Sequence, residues 1–447
     1  MARDLATVPE RDAVGTLGDF WAGHRRRLVR SLPARRRLAE LRPLAESYLK
    51  VLAGSSGRLV LQAVYFLTLA NTLSLHDMGV FAAAAAAALI LGNLTGLGFQ
   101  SLAFRAAAGR RAALPAYLAL YYAAALAALP VGLLAALPLY WLVFAGLLPP
   151  AAFLAIMAAD LFFWRLVEAV HRVNNGLGRY GAASAAVIVA GAARALAALA
   201  LLASGSPTLE TWAGLYLAAN GAAAAAALVL FRPRVGLRWR PRLFLGRLKA
   251  GLLYAFSVFM TDAGSEIDKL ILLAMAGERA AGIYAISARV VDLTCVPIRS
   301  FYVLYSRRMI REGRTADVVR RSLVIEAGIF TLTVATFAAF LGVLAWMPGL
   351  LGANIAAAQA LFGAMILVPA FRNLIEFHNE LYFAYERLRA RALMSVTLIA
   401  LKSAALVALC LALPDVAGWG PLLNPVFAAL YAISALGVYR ALRPSNP

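Results

Sequence analysis

The sequence predicts an all-α fold, a polytopic membrane protein of twelve transmembrane helices in two pseudo-symmetric six-helix bundles. Three observations lead there. Apolar runs of about 20 residues recur along the chain, which is 62% hydrophobic and 15% charged. A soluble domain carries about 25% charged residues, and runs of that length are what a bilayer requires of a helix. The basic residues fall almost entirely into alternate loops, and the second half of the chain repeats residue types of the first at a nearly constant offset.

The spans of the first half are read at 52–73, 79–102, 115–142, 150–171, 181–204 and 211–231. Those of the second half are 250–275, 280–304, 322–347, 357–384, 391–412 and 421–439. The stretch 112–171 is nearly unbroken. As one helix it would run about 90 Å at 1.5 Å per residue, so it must fold back. Tyr140-Trp141, an interfacial aromatic pair, and Pro149-Pro150 mark the turn. The chain then divides into a basic tail, 1–45, a first bundle, 46–231, a basic linker, 232–249, containing Pro233 and Pro241, and a second bundle, 250–443.

Loop charge tests the span count independently. Of 43 Lys and Arg, 34 lie in 1–50, 102–112, 172–180, 232–249, 305–321, 385–391 and 440–447. The loops of the other side hold one, Arg279, and eight lie within spans. A wrong span count would scramble this asymmetry. The positive-inside rule then puts both chain ends in the cytoplasm, in a bacterial inner membrane.

The halves repeat at an offset of 203 and then 208. Gly79 matches Gly282, Phe81 matches Tyr284, Arg105 matches Arg308 and Arg111 matches Arg314. Past the third span Glu168 matches Glu376, Arg179 matches Arg387, Arg194 matches Lys402 and Arg232 matches Arg440. Six spans per half make the repeats parallel, related by an axis along the membrane normal.

The net charge of +21 sits in short loops between apolar runs, which points to membrane rather than nucleic acid. The tail carries Arg25-Arg26-Arg27 and Arg35-Arg36-Arg37 without a signal-peptide core, and reads as a binder of anionic phospholipid headgroups. Cys295 and Cys410 lie in apolar spans and form no disulfide framework. His24, His76, His171 and His378 have no metal spacing. No phosphate-binding loop, nucleophile elbow or hydrolytic acid pair is present. The external loops, about ten residues or fewer, hold no catalytic domain. A transporter without cofactor or metal is expected, not an enzyme.

Charges inside spans face a bundle interior or a watery cavity, because each costs at least about 2.5–3.5 kcal/mol in lipid. The candidate substrate-binding cations are Arg58, Arg194, Arg289, Arg299, Arg372 and Lys402. If the matched Arg194 and Lys402 both point inward they face each other across the axis and make a site for phosphate or pyrophosphate; if each has an acid beside it, they are structural. Arg165 has Glu168 three residues on, which favours a pair. Asp262 and Glu266, spaced i,i+4 on the seventh span, and Asp268 beside them are the candidate ion-coupling acids. Two close carboxylates suit a proton or Na⁺. The structural alternatives are pairs such as Asp268 with Lys269, Arg289 with Asp292 and Arg372 with Glu376.

The first hairpin of each half reads Leu75-His76-Asp77-Met78-Gly79-Val80-Phe81 and Gly277-Glu278-Arg279-Ala280-Ala281-Gly282-Ile283-Tyr284, and the seventh span holds Phe256-Ser257 and Ile267-Asp268-Lys269-Leu270. In order, spacing and duplication these resemble the polysaccharide-flippase branch of the multidrug/oligosaccharidyl-lipid/polysaccharide exporter superfamily, over about 46–443. The resemblance implies two bundles around a V-shaped cavity, alternating access, and a substrate of oligosaccharide on undecaprenyl pyrophosphate. It also implies a cationic cavity, coupling to H⁺ or Na⁺, and polysaccharide polymerase or export machinery as partners. It places Arg58, Asp262, Glu266, Asp268, Lys269, Arg289 and Arg299 on helices of the gate. The tail is not part of that pattern. A drug/cation antiporter of the same superfamily favours an acidic cavity, whereas Val51 to Leu75 holds Arg58 and no acid. A membrane polymerase or ligase would want a sizeable external loop.

Overall fold

A computed structural model describes residues 57–442 apart from 58, 110, 296–297, 299–301, 303–304, 306–308, 310–317, 348, 386 and 414–415. Arg58, Arg299 and the basic tail lie outside the described residues. Among the described residues the chain is helical, with no strand.

In the first half α1 is Leu59–Thr72. Helix α2 runs Leu75–Thr95 and resumes at Phe99–Gly109, and α3 runs Leu114–Leu139 into a π-helical turn, Tyr140–Phe144. Helix α4 runs Pro150–Ala158, Ala159–Trp164 (π-helical) and Arg165–Gly176. Then come α5, Tyr180–Ala203, and α6, Leu209–Ala226 with Ala227–Phe231. In the second half α7 is Pro241–Ala276, α8 Glu278–Thr294 and α9 Val318–Trp346. Helix α10 is Ala353–Ala364 with Val368–Ala384, α11 Leu388–Ala412 and α12 Leu423–Leu442.

Each of the twelve expected stretches is thus helical over most of its described residues. Among the described residues eight helices are long and apolar enough to cross a membrane, nine if the two parts of α10, bent by 69°, count as one span. Helices α1, α4 and α8 fall outside that group: α1 has 14 described residues from Leu59 to Thr72, α4 is interrupted by its π turn, and α8 is followed by the undescribed stretch. The linker departs from expectation, because it is helical from Pro241 onward. Proline suits a first helical position, where its missing N–H is unneeded and its φ is preset. Helix α7 is 36 residues long, about 54 Å, well beyond the bilayer's ~30 Å. Its first turns, with Arg242, Arg247 and Lys249, therefore belong to the basic loops.

Local chemistry sets the other boundaries. Ser74 Oγ accepts from Asp77 N at 3.0 Å and Thr208 Oγ1 from Thr211 N at 3.2 Å, capping α2 and α6. Pro369 opens the second part of α10 and excludes a straight run through the break. Leu97 and Gly98 both have positive φ, 48° and 73°, and this break in α2 brings its backbone against α7. A Cβ on Gly98 would stand 1.9 Å from Gly251 O.

The matched glycines of the repeat meet each other. A Cβ on Gly79 would lie 2.1 Å from Glu278 O, and one on Gly282 would lie 2.0 Å from Leu75 O. Helices α2 and α8 therefore cross backbone to backbone, as small residues allow in membranes. The crossing lies on the side away from the basic loops. Around it His76 Nδ1 is 3.1 Å from Glu278 Oε2. Asn71 Nδ2 donates to Leu351 O at 2.7 Å, and Asn354 Nδ2 donates to Ala70 O and Leu73 O, both at 2.8 Å. The two halves are sealed to each other there. Behind the seal Phe81 packs edge-on against Trp212 and Tyr216 (5.6 and 5.3 Å between ring centroids), and its repeat mate Tyr284 faces Trp419 at 6.4 Å.

Gly282→Val forces this crossing apart. We expect it to lower stability in detergent by about 1–3 kcal/mol, the usual effect of overpacking, and to cut bifunctional thiol cross-linking between His76→Cys and Glu278→Cys. Gly328→Ala on α9, where a Cβ meets nothing within 4 Å, is expected to be neutral or slightly stabilising in the same thermal melt.

Candidate functional site: the charged seam along α7

Helix α7 carries Asp262, Glu266, Asp268 and Lys269. At 100° per residue, positions 262, 266 and 269 form one stripe and 268 points away from it. The structure uses both faces. Asp262 Oδ2 accepts from Asn93 Nδ2 of α2 at 2.7 Å and lies 3.8 Å from Arg165 Nη2 of α4. Glu266 pairs with Lys269 and acts electrostatically on Asp160 of α4. Asp268, buried on the other face, lies 3.4 Å from Lys402 Nζ of α11 and accepts from Tyr284 OH of α8 at 2.5 Å. One helix thus engages both halves through its acids.

In the first half Arg194 of α5 lies 3.0 Å from Asp160 Oδ1. Tyr216 OH of α6 stands 2.9 Å from each oxygen of that carboxylate. Asn220 Oδ1 accepts from Arg194 Nε and Nη2 at 3.0 and 2.6 Å, and the guanidinium sits 4.4 Å over the Trp164 ring. Asp160 and Trp164 belong to the π-helical turn of α4. Such turns add a residue to the helical repeat and re-aim side chains, often at functional sites.

In the second half the ammonium of Lys402 also donates to Gly264 O at 2.6 Å. It occupies the place a free cation would take between that carbonyl and Asp268, so Asp268 is already neutralised. Arg372 of α10 pairs with Asp292 of α8 at 3.0 Å. Arg165 pairs with Glu168 at 2.8 Å, as its spacing predicts, and Glu168 also holds Arg172.

These contacts revise three expected pairings. Lys269 pairs with Glu266 rather than Asp268, Asp292 with Arg372 rather than Arg289, and Arg372 with an acid on another helix rather than with Glu376 through the helix surface. Arg194 and Lys402, matched by the repeat, each hold an acid, as the structural alternative had it. Arg289 differs. It is half-buried on α8, and among the described residues no acid pairs with it. It acts electrostatically on Tyr65 of α1, as do Arg194 and Asp160.

A small cleft lies between α2, α4 and α7, lined by Asn93, Gln100, Ser101, Arg165, Arg172 and Tyr254 among others. Its arginines are answered by Glu168 and Asp262, so it is not a strong anion site.

The family model described as polysaccharide biosynthesis protein matches residues 49–300, more than half the chain. The chain belongs to this family. Solved structures similar over most of the chain are transporters. They include the lipid II flippase MurJ in an inward closed conformation (TM-score 0.58, 12% identity, 89% of this chain and 88% of that one). The MATE multidrug transporter DinF-BH is another (0.59, 12%, 89% and 95%). A third is a MOP superfamily transporter from Pyrococcus furiosus Vc1 (DSM3638), described as having a binding pocket of reverse polarity (0.53, 11%, 88% and 92%). Among curated proteins nothing matches. The family member is therefore a multi-pass membrane protein that shares the fold of these transporters, in agreement with the all-helical reading of the sequence.

Asp160→Asn leaves Arg194 without its counter-ion. We expect a loss of about 3–5 kcal/mol, as when one partner of a buried pair is removed. The Asp160→Leu/Arg194→Met double variant should recover much of it; thermal unfolding of all the variants in one detergent, read as a double-mutant cycle, checks this.

Proposed function

We propose that this family member is a flippase that carries oligosaccharide linked to undecaprenyl pyrophosphate from the cytoplasmic to the periplasmic leaflet of a bacterial inner membrane, by alternating access with both chain ends cytoplasmic. Arg289 carries the reading. A half-buried cation within a span, with no acid on it among the described residues, is stabilised best by an anion that arrives from outside the protein. A pyrophosphate offers the oxygen fork that a guanidinium matches. Arg372 and Lys402 hold acids in the sealed state and would complete the cationic site by exchanging partners, whereas Arg194 stays held by Asp160 and Asn220.

Coupling to H⁺ or Na⁺ falls to Asp262 in this reading. Its side chain is a quarter exposed, and its nearest cation, Arg165, already serves Glu168 at shorter range. Glu266 and Asp268 have lysine partners to release first. The seal at Gly79 and Gly282 is then the periplasmic gate, the tail is a contact for anionic phospholipid, and polymerase or export machinery receives the product. A multidrug transporter among the fold neighbours keeps a drug/cation antiporter as the rival reading. The shortage of free acids along the seam argues against it.

Arg289→Ala should abolish surface polysaccharide while leaving membrane insertion and the thermal midpoint unchanged, and lipid-linked oligosaccharide should accumulate on the inner leaflet. Arg289→Lys should retain part of the export, because it keeps charge without the fork. Normal export by Arg289→Ala would refute this site. A deletion strain that keeps its polysaccharide and becomes drug-sensitive would replace the flippase reading with the antiporter.

A further inference from the structure

A second cluster of ionisable groups sits inside the second half, away from α7. Glu326 of α9 and His378 of α10 are 3% and 0% exposed, with His378 Nε2 3.0 Å from Glu326 Oε1. Two tyrosines of α12 donate to the same carboxylate, Tyr431 to Oε2 at 2.5 Å and Tyr439 to Oε1. On the far side of the ring His378 Nδ1 is 2.8 Å from Ser434 Oγ. The imidazole also stacks on Tyr431, 5.4 Å between centroids. Among the described residues Glu326 pairs with no Lys or Arg, so a balancing positive charge can come only from His378.

The duplication supplies an apolar counterpart of this cluster in the first half. At the offset of 208, His378 matches Val170, Tyr431 matches Ala223, Ser434 matches Ala226 and Tyr439 matches Phe231. Leu114 to Phe144, the α3 counterpart of α9, contains no acid. Val170 and Ala223 are buried in the apolar core of the first half, with Phe231 packed against it. At the matched positions the first half therefore packs apolar side chains in place of the ionisable ones. Burying an ionisable pair is no route to extra stability over such packing, and ionisable residues inside spans mark proton and ion pathways.

The cluster is also connected to one face of the membrane. Glu326 lies eight residues into α9 from Val318, about 12 Å, and Tyr439 is partly exposed three residues before the end of α12. Tyr439, Glu326, His378 and Ser434 form an unbroken hydrogen-bonded series from the basic-loop side inward, in which every group can accept and release a proton.

We infer that Glu326 and His378 form a proton-binding site, loaded from the basic-loop side through Tyr439. With the proton bound, the carboxylate and imidazolium sum to zero charge; without it, a single negative charge stays in the bundle. The other groups facing the pair are Tyr431 and, acting on Tyr439, Tyr305, which lies beyond the end of α8. Helix α11 presents Ala390 and Met394 to this core. A hydrogen-bonded link also joins the helices around the pair. Tyr302, eight residues past the end of α8, donates to Asn373 O of α10 at 2.6 Å, and Asn373 Nδ2 donates to Thr333 Oγ1 of α9 at 3.1 Å. A change in charge between α9 and α10 thus bears on Tyr302 and Thr333, which these bonds join to α10.

The test uses the purified full chain in liposomes without substrate, so that its failure leaves the flippase reading untouched. Imidazole and carboxylate bands are followed by infrared difference spectroscopy between about pH 5 and 8, the range of histidine, and proton uptake after a pH drop is timed with a soluble dye. The expected result is one titrating group that is lost in both Glu326→Gln and His378→Gln, and uptake slowed several-fold in Tyr439→Phe with the titration retained. Bands that do not change with pH in the wild type, or that titrate identically in Glu326→Gln, overturn the site. If Glu326→Gln fails to fold, wild-type uptake rates in Tyr439→Phe overturn it instead.

Discussion

A charge in hydrocarbon must be answered within a few ångström, and α7 is where this chain meets that demand. The helix brings three acids and a lysine into the bundle over eight residues, and through them holds Arg165 of the first half and Lys402 of the second. Asp262 draws on Asn93 and Arg165 from the first half, and Asp268 holds Lys402 and Tyr284 from the second. Glu266, paired with Lys269, lies within electrostatic range of Asp160. The seam therefore fixes α2, α4, α8 and α11 around α7 by electrostatics where the apolar faces alone would allow sliding. Because the 3.8 Å contact of Asp262 with Arg165 is the looser of that arginine's two, this link across the halves is the one most easily exchanged.

The duplication holds where backbone geometry is at stake and breaks where charge is. Gly79 and Gly282 are related by the repeat and lie in mutual contact, so the crossing of α2 and α8 is symmetric by construction. Arg194 and Lys402 are also related by the repeat, yet their counter-ions come from different places. Asp160 belongs to α4, inside the first half, whereas Asp268 belongs to α7. The first cation is thus locked within its own bundle by Asp160, Asn220 and Tyr216. The second is tied to the helix that also contacts the opposite bundle. Any movement of α7 is felt at Lys402 and much less at Arg194.

The helices were legible because lipid imposes a single rule on length and polarity, and because the loops carry the orientation. The glycine match was legible too, since the offset pairs it with an aromatic two residues on in both halves. The partners of the charges were not. Local spacing offered Asp268 to Lys269, Asp292 to Arg289 and Glu376 to Arg372, and in each case a group on another helix or another turn won. Spacing along one helix describes a surface, and these residues are in the interior, where the approach of a second helix decides. Asp160 was visible as an acid in a span, but its role depends on a π turn that no pattern in Ala158-Ala159-Asp160-Leu161 announces. Asn93 and Asn220, set in apolar stretches, were the available signal that went unused, since an amide in such a place must have a partner. His378 and Glu326 are 52 residues apart, so no spacing along a single helix announces the pair.

Arg289 follows from the same rule by exception. Arg194, Arg372 and Lys402 are held by acids at 3.0–3.4 Å, so the bundle has the means to neutralise its cations and has not done so here. Asp292, one turn along on α8, is drawn instead to Arg372. That choice leaves Arg289 without an acid among the described residues, within electrostatic range of Tyr65 of α1. A cation left unanswered within a sealed pair of bundles stores a preference for the arrangement in which something negative reaches it. An anionic headgroup entering between the halves would satisfy Arg289 in one state and lose it in another, and that difference is what a transporter needs to bias its two arrangements.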